Sequence, residues 1–240
     1  MTNKLFILLL ASAFLGCQNT QQEPTAEHPS DVLKINQQNN LLNLLGSGQT
    51  DGFQWMNEPS AVQFAEGAVK VTVAAKTDFF NNPENGEVSA SAPFLYREAD
   101  GDFVATALVK PDFADMWNAC ALMVHLDSMH WIKFAFENSD ATGKSIVSVV
   151  TRSVSDDANG VVLNDAEAVW LRIIRKGNNF AMHWSLDGKE FKMTRLAQMP
   201  EANLVKIGLE AQCPAGKGAT HDWLFFSLEE KTVEDMRKGI

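Results

Sequence analysis

The clearest alternation of apolar and polar positions in the chain lies in Cys120–Glu137, where CALMVHL and WIKFAFE flank the turn-forming DSMH. Leu122, Val124 and Leu126 fall on one face of the first run, with Met123 and His125 on the other. In the second run Ile132, Phe134 and Phe136 share a face, opposite Trp131, Lys133 and Ala135. Successive side chains of a strand point to opposite sides, so the pattern predicts a β-hairpin. One of its faces is apolar. The other carries a histidine, a tryptophan and a lysine.

The same period recurs along the chain. Strands are predicted at Val62–Phe64, Ala68–Ala74, Pro93–Glu98, Asp102–Lys110, Ser145–Val154, Ala168–Arg175, Asn179–Leu186, Glu190–Arg195, Leu204–Gln212 and Asp222–Leu228. Asp100–Gly101 and Asp187–Gly188 are hairpin signals, and Asp156–Gly160 reads as a further turn. Many short strands with Gly, Asn and Asp turns, and no amphipathic helices between them, predict an all-β antiparallel β-sandwich of about a dozen strands, as in a jelly roll. Asp31–Leu45 fits a short helix or an edge strand, and Glu229–Ile240 a short helix or a frayed end.

The N-terminus changes the picture from a bare domain to an exported one. Lys4 precedes the apolar Leu5–Phe14, a run too short to span a bilayer. Phe14–Cys17 (FLGC) resembles a bacterial lipobox, with Phe14 in place of the usual leucine. This predicts a signal peptide over residues 1–16 and lipidation at Cys17, hence a membrane partner and a bacterial cell-envelope location, periplasmic or surface-exposed. Residues 17–45, polar and broken by Pro24 and Pro29, read as a tether, residues 46–232 as the sandwich and 233–240 as a tail. A formal net charge of −10 argues against nucleic acid. Cys120 and Cys213 lie in strand-like apolar runs and read first as buried thiols, with a disulfide as the alternative. No motif for a zinc site, a phosphate loop or a nucleophilic serine is present, and no cofactor is implied.

An ordered series of motifs then points to a family. QWMNEPS at Gln54–Ser60, KTDFF at Lys76–Phe80, Gly101–Phe103, ALMVHLD with HWIK, SVVTRSVSD, VWLRIIRKG, Ser185–Gly188 and VKIGLEAQCPAGKG resemble the DUF1349 family over roughly Phe53–Leu228. The resemblance implies a concanavalin A-like lectin/glucanase jelly roll. It leaves molecular function open. The chain departs from the usual family residues at Phe80, Ala121, His125 and Asp157. At position 125 a histidine, which titrates near neutral pH, replaces an arginine.

Sugars are held by aromatic rings against their C–H faces and by planar polar groups at their hydroxyls. His125, Trp131 and Lys133 on one face of the hairpin, with Glu210 and Gln212 from a second strand and Arg152 from a third, are the candidate carbohydrate-binding residues. An exposed Trp131 on that face would be the strongest of these signals. A protein-interaction module of an envelope complex is the alternative. A glycoside hydrolase needs a carboxylate pair; no ExDxxE run is present, so such a pair would have to be assembled from isolated acids such as Glu58, Glu137 or Glu210.

Overall fold

The computed structural model describes residues 39–240 apart from Gln49, Asp51 and Glu66. Cys17, the expected signal peptide and most of the expected tether lie outside the described residues. Among the described residues the chain builds one short helix, α1 (Leu42–Gly46), and sixteen strands. In order these are β1 (Gln54–Met56), β2 (Ala61–Ala65), β3 (Ala68–Ala74), β4 (Phe79–Asn81), β5 (Val88–Ala90), β6 (Phe94–Asp100), β7 (Phe103–Lys110) and β8 (Ala119–Asp127). There follow β9 (His130–Ser139), β10 (Gly143–Arg152), β11 (Val154–Val162), β12 (Val169–Lys176), β13 (Asn179–Ser185), β14 (Lys192–Gln198), β15 (Leu204–Gln212) and β16 (Gly218–Glu229).

Two seven-stranded antiparallel sheets face each other, one ordered β1-β6-β15-β8-β9-β10-β11 and the other β14-β13-β12-β7-β16-β3-β2. We call them the first and second sheet. The fold is the expected antiparallel β-sandwich of jelly-roll type. Its core takes one side of each strand. Leu122, Val124, Ile132, Phe134 and Phe136 from the central hairpin meet Val71, Ala105, Leu171, Ile173 and Phe226 from the second sheet, all fully buried. At about 1.5–3 kcal/mol for each large apolar side chain, this layer is the main source of stability.

The alternation read from Cys120–Glu137 holds in three dimensions. The β8–β9 register opposes Met123 to Lys133 and His125 to Trp131 on the face away from the core. Asp127 accepts the Met129 N–H at 2.8 Å and closes the turn. Cys120 and Cys213 are both buried free thiols.

Three elements differ from expectation. Asp156–Gly160 does not turn. It lies in β11, which pairs with β10 from Arg152↔Val154 onward, and the chain reverses at Ser153, whose φ is 70°. β11 is a sheet edge with Ser155 as its buried residue, so no apolar alternation marks it. The expected tether already joins the packed body before residue 46: Leu42 and Leu45 enter the core, and buried Asn40 donates to Gly67 O at 2.7 Å. The C-terminal segment forms no helix. Val233 is buried against Val104, Ile174 and Ala181 on the outer side of the second sheet.

Candidate functional site

The outer face of the first sheet can be read as cross-strand rows. One row runs Glu210, Ala121, Ala135, Val147, Asn159. The next runs Gly208, Met123, Lys133, Val149, Asp157, and a third runs Lys206, His125, Trp131, Thr151, Ser155. Small residues in the first row and long ones around it make a hollow. The β4–β5 hairpin and the loop before β8 cover part of this face, and between them lies a cavity of about 510 Å³.

Covering the face changes the fate of two candidates. Trp131 is not exposed but 1% accessible, with Phe79 of β4 packed on its edge at 6.0 Å between ring centroids. His125 is buried between Phe79 and Phe94, at 6.3 and 6.5 Å. Its burial, with Lys206 nearby, lowers the imidazole pKa to about 4, so it stays neutral instead of titrating near neutral pH. Both residues hold the covering hairpin down. Arg152 departs further. It shares strand parity with the core residues Ile146 and Val150, and at the sandwich edge its guanidinium donates to Gln198 O of β14 at 3.2 Å. It has no part in the cavity.

Lys133 and Gln212 do converge. The Lys133 ammonium has three donors, and they go to Asp78 Oδ1 at 3.0 Å, Phe79 O at 2.9 Å and Gln212 Oε1 at 2.6 Å. Gln212 in turn donates to Trp117 O at 2.9 Å. Burial pulls the Lys133 pKa down, but Asp78, Glu210 and Glu137 outweigh it and raise the value. This lysine is a permanent cation that ties the β4–β5 hairpin, the central sheet and the loop before β8 together.

Its donors are used up, so two nearby carboxyls feel it only through space. Glu210 is completely buried, and neither carboxyl oxygen has a hydrogen-bond partner. Burial, opposed by Lys133 and reinforced by Asp78 and Glu137, raises its pKa to about 8. It sits beneath the hollow without lining the cavity. Glu137 does line it, and burial with the same opposing lysine raises its pKa to about 7. Desolvation favours the protonated form of both, so that at neutral pH Glu210 is mostly protonated while Glu137 is about half ionised.

Several cavity residues escape sequence reasoning. Trp117 and Phe80 line the cavity together with Asp78, Asn82, Glu87, Asp157 and Asn159. Trp117 is 39% exposed and has φ of 60°, a left-handed conformation that costs an ordinary residue roughly 1–2 kcal/mol. Its N–H donates to Asn138 O at 2.7 Å, and its carbonyl receives Gln212, so the strained backbone is held from both sides. Strain of this kind gathers at functional sites. Nothing in DMWNA signals it.

Fold and site together define a jelly-roll β-sandwich with a largely polar cavity on the outer face of one sheet. A model of the family described as "Protein of unknown function (DUF1349)" matches residues 55–231, and the chain belongs to that family. It is 29% identical over 185 residues to Regulation of enolase protein 1 of Saccharomyces cerevisiae, spanning 76% of this chain and 93% of that protein. A solved structure of a functionally unknown Saccharomyces cerevisiae protein superposes with a TM-score of 0.72 at 27% identity, over 76% of this chain and 98% of the other. More distant chains share the fold. Xylan β-1,4-xylosidase of Bacillus halodurans matches with a TM-score of 0.59 at 13% identity, over 74% of this chain but 37% of the enzyme. The VIP36 exoplasmic/lumenal domain, solved with Ca2+ and Man3GlcNAc, matches with a TM-score of 0.50 at 10% identity, over 78% of this chain and 87% of the domain.

Proposed function

We propose that the protein is a carbohydrate-binding module whose sugar site is the cavity on the outer face of the first sheet. One observation carries this reading: two ring side chains, Phe80 and Trp117, open onto the same cavity as the planar polar groups of Asn82, Asn159 and Gln212. The rings stack on sugar C–H faces, and the amides bridge hydroxyl pairs. A volume near 510 Å³ suits a mono- or disaccharide. The presence of this sandwich in a glycan-bound lectin domain and in a xylosidase supports the reading by analogy of fold.

The test is a glycan array on the purified protein, followed by calorimetry on the hits. Trp117→Gly separates binding from folding. Glycine adopts the positive φ without strain, so thermal stability is expected to hold or rise, while loss of the ring weakens sugar binding by about 0.5–1.5 kcal/mol or more. No binding across a broad panel, with a protein partner co-purifying instead, overturns the reading in favour of an interaction module.

We also propose that the module is exported and held at the bacterial cell envelope through a lipid on Cys17. Metabolic labelling with palmitate is expected to mark the wild-type protein and not Cys17→Ser. Equal labelling of both, or of neither, overturns the anchor.

A further inference from the structure

The charge around the cavity is one-sided. Asp78, Glu87, Glu137, Asp140 and Asp157 line it, against the single cation Lys133. Lys133 is already paired with Asp78 at 3.0 Å. None of the other four acids takes part in an ion pair among the described residues. They come from separate places in the fold: Glu87 from the β4–β5 turn, Glu137 from β9, Asp140 from the turn after it and Asp157 from β11. Asp78, Asp140 and Asp157 stand close enough to Glu137 for their charge to disfavour its ionised form.

Glu137 is the sharpest of them. It is more than nine-tenths buried and lines the cavity, and its carboxyl receives no hydrogen bond among the described residues. A carboxyl in that state lacks the donor that would repay its desolvation. Among the described residues no three His, Cys, Asp or Glu side chains stand close enough to hold a metal ion. What the arrangement lacks is a group that brings both positive charge and several N–H donors to the middle of the cavity.

We infer that the ligand carries a protonated primary amine, as a glucosamine-type amino sugar does, and that Glu137 and Asp157 receive it from two sides. This rests on the sugar reading above and adds to it the charge of the ligand. A uronic acid would meet the acids with like charge, and an N-acetylated sugar would offer one neutral N–H in place of three charged donors.

Calorimetry with four probes tests this: a glucosamine oligomer, its N-acetylated counterpart, an oligogalacturonate and spermidine. The glucosamine oligomer is expected to bind at least roughly tenfold tighter than the N-acetylated one and to weaken with salt, and the oligogalacturonate not to bind. Glu137→Gln and Asp157→Asn should each reduce that ratio by several-fold. Asp157 lies on an exposed edge strand, so its variant reports on the charge even if Glu137→Gln disturbs folding. Equal or tighter binding of the N-acetylated oligomer overturns the amine inference and leaves the sugar reading standing. Spermidine binding as tightly as the oligomer overturns the sugar reading and leaves the amine. Binding of none of the four overturns the amine inference.

Discussion

Glu210 shows how much of this molecule is decided by single side chains. It is an ionisable group placed in a dry layer with no donor, next to a lysine whose donors point elsewhere. Its proton is therefore held more tightly in the fold than in the unfolded chain, where the ordinary value is 4.5. A carboxyl raised in this way stabilises the fold at low pH, and the contribution is lost as pH climbs from 4.5 towards about 8. Glu137 adds a similar loss that ends near 7. Thermal melts across this range should show stability falling as pH rises, with a flatter curve for Glu210→Gln, which stays neutral throughout. An equally steep fall in the variant would mean that Glu210 ionises freely in the folded protein. The sequence reveals the facing of Glu210, because Leu209 and Ala211 flank it. It does not reveal the burial, which depends on chain more than a hundred residues away folding over that face.

At the level of elements, legibility follows the period-two rule and stops where that rule gives no signal. β8, β9 and β15 alternate because one side is core, and their register places Lys133 and Gln212 as the alternation predicts. β11 is a strand through backbone pairing, and its DDANG side chains carry no pattern to find. The β4–β5 hairpin is three residues a strand, and its seat on Trp131 and His125 is a long-range event that a local pattern cannot contain. Two of the four departures from the usual family residues, Phe80 and Asp157, line the cavity, which puts part of the proposed site on elements the alternation does not describe. Gly208 is a different kind of constraint. It sits opposite Tyr96 in the β6–β15 pair, where an added Cβ would lie 2.0 Å from Leu95 O. The obstacle is backbone, so it cannot swing away. Gly208→Ala should separate β6 from β15 or displace one of them, lowering the midpoint of denaturant unfolding by an amount typical of overpacking, about 1–3 kcal/mol or more. A variant as stable as wild type would show that the two strands are further apart in solution.

For the molecule as a whole, the two sheets share a core but differ in what covers their outer faces. Over the first sheet the β4–β5 hairpin and the Trp117 loop leave a cavity between them. Over the second sheet the C-terminal segment packs closely. Val233 seals a patch of Val104, Ile174 and Ala181, Lys176 donates to Val233 O at 2.7 Å, and the Met236 carbonyl meets His183 Nε2 at 2.9 Å. Burial lowers the His183 pKa, while the Met236 carbonyl of the segment acts against it and raises it. The sealed patch and the proposed sugar site therefore lie on opposite faces and are separable. Ending the chain after Thr232 removes Val233 and Met236 and wets the patch beneath them. Burial of one large aliphatic side chain is worth about 1.5–3 kcal/mol, so a loss of that size in denaturant unfolding is expected. Sugar affinity should not change, because no residue of the segment lines the cavity. If affinity falls in step with stability, the two faces are coupled through the core, and the cavity depends on packing across the whole sandwich.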